Sequence, residues 1–532
     1  MVLAGVLLVA AASVVSLSGM SSGSEVSRTP EFVGRFIAGK PITFFPNASR
    51  AAPRVESSTT TVPYAALADP EPSRREEEVD IVLYGTQTSA LGVLRAFLLS
   101  QDRYPEHLTL AVISPSGSLE SPLAQGLSVE DEYHPERASG FYREFREAVR
   151  REYETQGIDP RSGSRLTYEP TVASRLLSEL CGLSGLSSGE ARTLGARTLS
   201  YYHGSLIAAE DDDNPSVEVQ LADGGVLRLQ CRYLIDASVE ADLARLLGCD
   251  YRLGTSPLIY NDRQGKRPNP PDGSNSYATA PQSLSYLVTL EVDRQTRRGQ
   301  DEIGTTTGEP DELPLLGTET LARFANSWSM SHPLPNGKRE LNEAWSDFRD
   351  PVASYQWFIF PDRRDKILEE LRGWTLSLVE ELKAHGYPEL EVAHLPTYPY
   401  VRGELMVEGE DTYRVKDLEE EVVREAVAVA CYALYDRHDA LNGSAQAAVT
   451  AVARLPLGAT KPSGHPRLLV STAFSCEWQV YSSAVRMENL RANAGAAVGV
   501  LAVAAATNAT DVGEVAYEEV LVELEYQGHE IW

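Results

Sequence analysis

The sequence predicts an α/β fold with a central parallel sheet and an inserted α+β domain. The first observation is a strand, a tight turn and a helix at Val79–Ser100, followed by an apolar strand at Leu108–Ile113. This β-α-β spacing is typical of neighbouring parallel strands. A third short apolar strand, Arg232–Ala237, also precedes a helix. Residues 256–467 differ in composition from the rest of the chain and are rich in loop and turn residues, which indicates an insertion.

The composition excludes several function classes. Lys and Arg number 48 against 76 Asp and Glu, a formal net charge of −28. This balance argues against nucleic acid and anionic membrane surfaces as partners. The cysteines are scattered without a C-x-x-C pair, which predicts buried thiols and no zinc site, although one disulfide stays open if the chain is exported. These cysteines are Cys181, Cys231, Cys249, Cys431 and Cys476.

The N-terminal stretch is apolar and uncharged over Met1–Leu17, with a small-x-small pattern at Ser16–Ser18. It predicts a signal peptide or N-terminal anchor over residues 1–18, and therefore export: a periplasmic, secreted or membrane-anchored protein. Residues 19–78 are rich in Ser, Thr, Pro and charge and predict a disordered linker. No other membrane span is expected, since Ala492–Ala506 is short for one.

The turn after the first strand carries the first candidate site. Gly85 breaks the strand, and the helix is predicted over Ala90–Leu99. The N-terminus of such a helix can hold a pyrophosphate on its free N–H groups. Of the G-x-G-x-x-G fingerprint only Gly85 is present, with Gln87 and Ala90 at the other glycine positions. An ordinary βα turn without a ligand therefore remains the alternative.

The remaining elements follow in chain order. Helices are predicted at Phe141–Tyr153, Pro170–Leu183 and Val239–Leu247, and strands at Leu194–Ala208 and Val217–Leu229, the latter split by the turn Ala222–Gly225. In the insertion, a strand is predicted at Ser285–Val292 and a helix at Asp365–His385. A strand at Leu468–Thr472 and a helix at Ala494–Ala506 then return to the first domain. We thus expect one domain from residues 79–255 and 468–532, interrupted by residues 256–467.

Four motifs follow one another along the chain: Glu169-Pro170 before a helix, Ile235–Leu243 (IDASVEADL), Arg486–Asn489, and Gly495–Gly499 opening a helix. Together with the first strand, turn and helix, they resemble the FAD-dependent oxidoreductase family. The resemblance implies a Rossmann-like FAD-binding domain with an inserted substrate or cap domain. It also implies FAD as cofactor and flavin-mediated hydride transfer on a small organic substrate. No metal site and no catalytic acid or base is predicted.

The resemblance also implies which residues contact the cofactor. Alternatives remain for some: Asp236 could instead cap the next helix, and Gly495 and Gly499 could instead allow tight helix packing. Arg402 could bind an anionic substrate or pair with an acid. The predicted cofactor-binding residues are Gly85, Thr86, Ser89, Ala90, Ser114, Gly126, Asp236, Ala237, Ser238, Asp242, Arg486, Gly495, Ala496 and Gly499.

Departures from the family pattern support a second hypothesis. Besides Gln87 and Ala90, Ser114 stands where an acid is expected, and Glu120-Ser121 stands where a Gly-Gly pair is expected. A carboxylate at residue 120 is unfavourable near two phosphates unless it points away. The alternative is a protein that keeps the flavoprotein fold, has lost tight FAD binding, and serves as a binding or scaffold protein.

Overall fold

The structure is a computed structural model. It describes residues 73–532 apart from residue 213 and residues 272–280, 293–333, 343–345, 385–386, 422–423, 434–436, 440–442 and 446–449. The predicted leader and most of the predicted linker lie outside the described residues. Residues 70–532 form one compact unit.

The strands alternate with helices through the first half of this unit, as the β-α-β spacing predicts. The strands are β1 (Arg74–Glu78), β2 (Ile81–Tyr84), β3 (Leu108–Ser114), β4 (Arg161–Ser162), β5 (Arg165–Leu166), β6 (Glu190–Leu194), β7 (Arg197–Glu210), β8 (Ser216–Leu221), β9 (Val226–Gln230), β10 (Tyr233–Asp236), β11 (Tyr251–Leu253), β12 (Thr289–Val292), β13 (Lys338–Glu340), β14 (Leu390–His394), β15 (Leu405–Val407), β16 (Ala426–Ala433), β17 (Arg437–Asp439), β18 (Gly443–Ala445), β19 (Thr450–Pro456) and β20 (Leu468–Val470). The helices are α1 (Thr88–Leu99), α2 (Pro122–Gln125), α3 (Gly140–Glu154), α4 (Pro170–Leu180), α5 (Asp242–Leu247), α6 (Pro351–Ile359), α7 (Arg364–Ala384), α8 (Val415–Glu419), α9 (Trp478–Tyr481), α10 (Glu488–Asn508) and α11 (Tyr517–Tyr526).

The central sheet has nine strands in the described part of the chain, in the order β1-β9-β8-β7-β3-β2-β10-β20, with β6 beside β7. β3, β2, β10 and β20 run parallel, and the first half of β7 pairs parallel with β3. The carboxyl ends of β2, β3 and β10 therefore meet at one edge of the sheet. Because β20 pairs with β10 after the insertion, the chain does return to the first sheet, and the predicted Rossmann-like α/β class is confirmed.

Helices cover both faces of the sheet. α1, α3, α4 and α10 pack on one face, whereas α5 and the insertion's α6 and α7 pack on the other. By length and composition, α10 is the one helix in the described ranges that could cross a membrane, but it is almost wholly buried against the protein. α10 is thus placed as the core helix of this unit, and it is longer than the predicted Ala494–Ala506.

Two expectations are corrected here. The predicted linker is wrong at its end, because Arg74–Glu78 forms β1 and pairs in parallel with β9. All five of its residues are charged and it lies mostly exposed at the sheet edge, so it has no apolar alternation to reveal it. The disulfide that the sequence left open is not formed, and the predicted buried thiols are confirmed, since all five cysteines are free and buried.

Candidate functional site

The turn at Gly85 lies where β2 meets the ends of its two neighbours. The Gly85 N–H donates to the carbonyl of Ile113 in β3 at 2.9 Å. Its φ is +92°, and a Cβ there would lie 2.9 Å from the backbone nitrogen of Ser238. A side chain at this position would therefore collide with the chain that leaves β10, so glycine is required for the strand ends to pack.

The carboxylate of Glu120 points into this turn. The N–H of Thr86 donates to its Oε2 at 3.1 Å, and the N–H of Ser116 donates to its Oε1 at 3.2 Å. In return, the N–H of Glu120 donates to the hydroxyl of Thr86 at 3.1 Å. Glu120 is 2% exposed. Burial raises its pKa to about 7, although the hydrogen bonds from the turn act in the opposite direction.

The side-chain hydroxyl groups in the first turn of α1 also find hydrogen-bond partners within the chain. The hydroxyl of Thr88 hydrogen-bonds the carboxylate of Glu488, and that of Ser89 hydrogen-bonds Thr472. Thr472 in turn donates to the carbonyl of Ala237 at 2.9 Å. The structure thus gathers four predicted residues around the turn and buries all of them. They are Thr86, Ser89, Ala90 and Ala237.

Asp236, at the end of β10, caps the helix that follows. Its Oδ1 accepts from the N–H of Ser238 at 2.9 Å, and its Oδ2 accepts from the N–H of Ala244 at 2.9 Å. The Ser238 hydroxyl donates to Oδ1 at 2.6 Å. Burial raises the pKa of Asp236 to about 7. Of the two open interpretations for Asp236, the structure shows the cap; a contact between Asp236 and a cofactor stays a prediction.

Gly495 and Gly499 lie inside α10, where they face α1. A Cβ on Gly495 would overlap the carbonyl oxygen of Ser89, and one on Gly499 would lie 2.7 Å from that of Val93. The expectation that a helix opens at Gly495 is wrong, because α10 begins at Glu488. Both glycines, with the buried Ala496 between them, allow tight helix packing, which was the alternative interpretation.

Three further predicted residues lie on other elements of the fold. Ser114 donates to the carbonyl of Ser118 at 2.9 Å. Gly126 follows α2 with a φ of +136°, and a Cβ there would overlap the carbonyl of Leu287. Arg486 donates to the hydroxyl of Tyr400 at 2.9 Å. For Ser114, Gly126 and Arg486, contact with a cofactor stays a prediction.

Arg402 forms an ion pair with an acid, which was one of the two interpretations of this residue. Its Nη2 lies 3.1 Å from Oδ1 of Asp347, and both side chains are 2% exposed. The pair is buried rather than at the surface.

A cavity of about 870 Å³ opens beside the turn, at the carboxyl ends of the parallel strands. The loops that follow β3 and β10 contribute part of the lining, which includes Ser116, Glu120 and Ser238. The insertion contributes another part through α6, α7 and Tyr398, which follows β14. Residues more than 100 positions apart therefore share this space.

Two carboxyl groups from the Ile235–Leu243 segment face this cavity with different partners. Glu240 accepts hydrogen bonds from the indole N–H of Trp357, at 2.5 Å, and from the hydroxyl of Tyr398. Asp242 forms a two-pronged ion pair with Arg364, whose Nη2 lies 2.8 Å from Oδ1.

The two environments move the two pKa values apart. Burial raises the pKa of Glu240, and the nearby Asp242 charge adds to this effect. Burial also acts to raise the pKa of Asp242, but Arg364 and Arg245 outweigh it and the pKa is lowered. The cavity therefore holds a fixed carboxylate beside a carboxyl group that retains its proton more readily, and the pair can donate to and accept from a polar ligand.

Sequence reasoning missed most of this cavity. Glu240 could have been predicted as a site residue, because it is an acid within the Ile235–Leu243 motif, two positions before Asp242. Trp357, Arg364 and Tyr398 carry no local signal, since only the docking of the insertion brings them to the sheet edge.

Residues 120–524 match the family model described as FAD dependent oxidoreductase. This match spans more than half of the chain. The chain belongs to the FAD dependent oxidoreductase family. The predicted resemblance is thereby confirmed, and FAD is the cofactor that the family assignment supports. The match begins at Glu120, so the first strand, turn and helix of this family member precede it.

The chain is also similar to solved structures, at low sequence identity. The FrdA chain of E. coli quinol fumarate reductase is 12% identical, with a TM-score of 0.32, over 85% of this chain and 74% of that chain. The flavin-dependent brominase Bmp2 is 8% identical, with a TM-score of 0.35, over 85% of this chain and 83% of that chain. L-proline dehydrogenase from P. horikoshii is 12% identical, with a TM-score of 0.19, over 36% of this chain and only 26% of that chain. No curated protein matches this family member.

In the conformation observed, a carboxylate of the chain holds donors that a pyrophosphate would need at the turn of this FAD dependent oxidoreductase family member. A pyrophosphate needs free backbone N–H groups, and those of Thr86 in the turn and of Ser116 after β3 are taken by Glu120. The adjoining cavity, by contrast, has the volume of a small-molecule site. The buried Nε2 of Gln87, in the same turn, has no hydrogen-bond partner in the part of the chain that the structure describes.

Proposed function

We propose that this chain catalyses flavin-mediated hydride transfer on a small organic substrate. The observation that carries the proposal is the family match over residues 120–524, which includes both the Ile235–Leu243 segment and the insertion. In flavoenzymes the cofactor supplies the redox chemistry, so the protein need not contain a separate catalytic triad.

The cavity supports the small-molecule part of this proposal. Its volume of about 870 Å³ lies within the range of small-molecule sites. Aromatic walls at Trp357 and Tyr398 supply apolar contact, whereas Arg364, Asp242 and Glu240 supply a few fixed polar groups. We propose that the insertion selects the substrate through these groups.

The visible absorption spectrum of the purified protein tests the cofactor requirement. The protein is passed through gel filtration, and the flavin band of the protein fraction is measured before and after incubation with excess FAD. A flavin band that co-elutes with the protein, together with a higher melting temperature in added FAD, supports the proposal. A colourless protein whose melting temperature does not rise with FAD would contradict it.

A second function is favoured by one specific observation. The Glu120 carboxylate accepts hydrogen bonds from the N–H of Thr86, in the predicted pyrophosphate turn, and from the N–H of Ser116. We therefore keep the proposal of a flavoprotein fold that has lost tight FAD binding and serves as a binding or scaffold protein. The colourless outcome of the same experiment supports this second function.

Export of the protein is a further proposal, and the apolar stretch Met1–Leu17 supports it. Cell fractionation followed by N-terminal sequencing tests it. A mature N-terminus near residue 19, or retention in a membrane fraction, supports export. An intact N-terminus on cytoplasmic protein would contradict it.

A further inference from the structure

Glu120 joins two loops that leave neighbouring parallel strands. One carboxylate oxygen accepts from Thr86, just after β2, and the other accepts from Ser116, just after β3. The backbone N–H of Glu120 contacts both the carbonyl and the hydroxyl of Thr86, at 3.2 and 3.1 Å. The hydroxyl of Thr86 donates to the carbonyl of Ser118 at 2.8 Å. Two backbone donors therefore hold the buried carboxylate, and the backbone of Glu120 is itself bonded to Thr86.

The N–H groups that hold this carboxylate can also hold phosphate oxygens. The loop from Gly85 leads directly into α1, a helix of 12 residues, whose dipole favours an anion at this end. A carboxylate and a phosphate compete for such donors, because each donor satisfies one acceptor and the two anions repel each other.

Two features of the surroundings favour a ligand at the turn. The Nε2 of Gln87 is a buried donor in the same turn and has no hydrogen-bond partner among the described residues. Glu120 and Ser116 also line the 870 Å³ cavity, so the side chain has open space into which it can turn.

We propose that Glu120 is an intramolecular anion that accepts from the N–H groups of Thr86 in the turn and of Ser116 after β3, and that it must leave before a nucleotide pyrophosphate binds there. This proposal rests on the proposed function, because FAD is the ligand whose pyrophosphate would bind at the turn. Glu120 is thus an autoinhibitory contact for cofactor binding.

Titration calorimetry with ADP and with adenosine tests this proposal. ADP carries the pyrophosphate and adenosine does not, so only ADP competes with the carboxylate. The full chain is compared with Glu120→Ala and Glu120→Gln. Removing the carboxylate frees two backbone donors, and we expect ADP to bind Glu120→Ala at least about tenfold more tightly than wild type. Adenosine affinity is expected to change by less than about twofold.

Glu340→Gln is the matched control. Glu340 also accepts from a backbone N–H, that of Ser128 at 2.6 Å, and burial likewise raises its pKa to about 7. It does not line the 870 Å³ cavity. We expect its ADP affinity to equal that of wild type. Should Glu120→Ala fail to fold by circular dichroism, Glu120→Gln gives the result, since it removes the charge and keeps the volume; its ADP affinity is expected to rise several-fold.

Equal ADP affinity in the wild type and the folded Glu120 variants overturns the proposal. An equal gain for adenosine also overturns it, because the gain then comes from added space. Tighter ADP binding in the Glu120 variants, while none of the proteins retains FAD, supports this proposal and contradicts the proposed oxidoreductase function. Wild type that retains FAD as tightly as Glu120→Ala overturns this proposal and leaves the oxidoreductase function standing.

Discussion

The turn at Gly85–Thr88 and the cavity beside it lie at the same edge of one sheet, but they differ in how their polar groups are satisfied. In the turn, Thr86 and Thr88 are bonded to carboxylates of the chain itself, Glu120 and Glu488. In the cavity, charged side chains face about 870 Å³ of open space. The difference teaches that carboxylates of the chain itself take up hydrogen-bond donors on the α1 side of the sheet edge, whereas the insertion side leaves room for a ligand.

The contact between α1 and α10 is the most sensitive part of the filled region. Gly495→Leu would place a side chain against the backbone carbonyl of Ser89, which cannot move without displacing α1. We expect the free energy of unfolding to fall by more than about 3 kcal/mol, the upper range for overpacking. Urea unfolding followed by circular dichroism measures this effect.

Gly373→Ala is the control for that substitution. Gly373 lies in α7, and a Cβ there meets no other atom. We expect this change to raise stability by about 0.5–1 kcal/mol, because alanine favours a helix over glycine. Equal effects of the two substitutions would show that the α1–α10 contact is not tightly packed.

The second largest loss of stability is expected from breaking the ion pair in the cavity wall. Arg364→Met leaves the carboxylate of Asp242, whose side chain is only 10% exposed, without its bidentate partner. We expect a loss of about 3 kcal/mol, as for a broken buried pair. The double variant Arg364→Met with Asp242→Asn is expected to recover part of this loss. If the double variant is less stable than the single one, the loss does not come from an uncompensated charge.

The pH dependence of stability compares buried carboxyl groups near the turn with buried carboxyl groups elsewhere in the fold. Burial raises the pKa of four carboxyl groups to about 7, so between their usual values and about pH 7 the folded state binds more protons than the unfolded chain. The free energy of unfolding is therefore expected to fall as pH rises from about 4.5 to about 7 and then to level off. These groups are Glu120, Glu132, Asp236 and Glu340.

Urea midpoints measured across this range test the pH prediction. Glu340→Gln removes one of the four groups and is expected to reduce the slope of stability against pH. A stability that rises steadily through the same window would contradict the assignment of raised pKa values to these groups.

The smallest effect is expected at the surface of the insertion. Lys366 lies two residues after Arg364 on the same helix, and its ammonium is 3.6 Å from the carboxylate of Glu370. Its side chain is 83% exposed, so solvent screens this pair. We expect Lys366→Ala to change stability by less than about 0.5 kcal/mol. A loss as large as that of Arg364→Met would remove the distinction between the cavity wall and the surface.

Local patterns in the sequence were sufficient to predict the elements around the site. The apolar residues of β2 and β3 and the spacing within α1 predict these elements to within about two residues. The start of α10 was placed too late, because Asn489, Arg491 and Asn493 resemble a loop although the fold buries them.

Contacts between distant residues could not be predicted in the same way. Glu120 was recognised as unfavourable beside phosphates, but nothing local indicates that its carboxylate binds the N–H of Thr86. Thr88 and Glu488 are 400 positions apart. Trp357 and Arg364 reach the cavity only because α6 and α7 dock against the sheet. Side-chain placement at the strand ends depends on this docking and not on sequence spacing.

The most direct test is a crystal structure of the wild-type chain grown with a saturating concentration of FAD. We predict that FAD lies at the turn, and that the Glu120 carboxylate has moved away from the N–H groups of Thr86 and Ser116. FAD bound at the turn with Glu120 still hydrogen-bonded to both N–H groups would contradict this prediction.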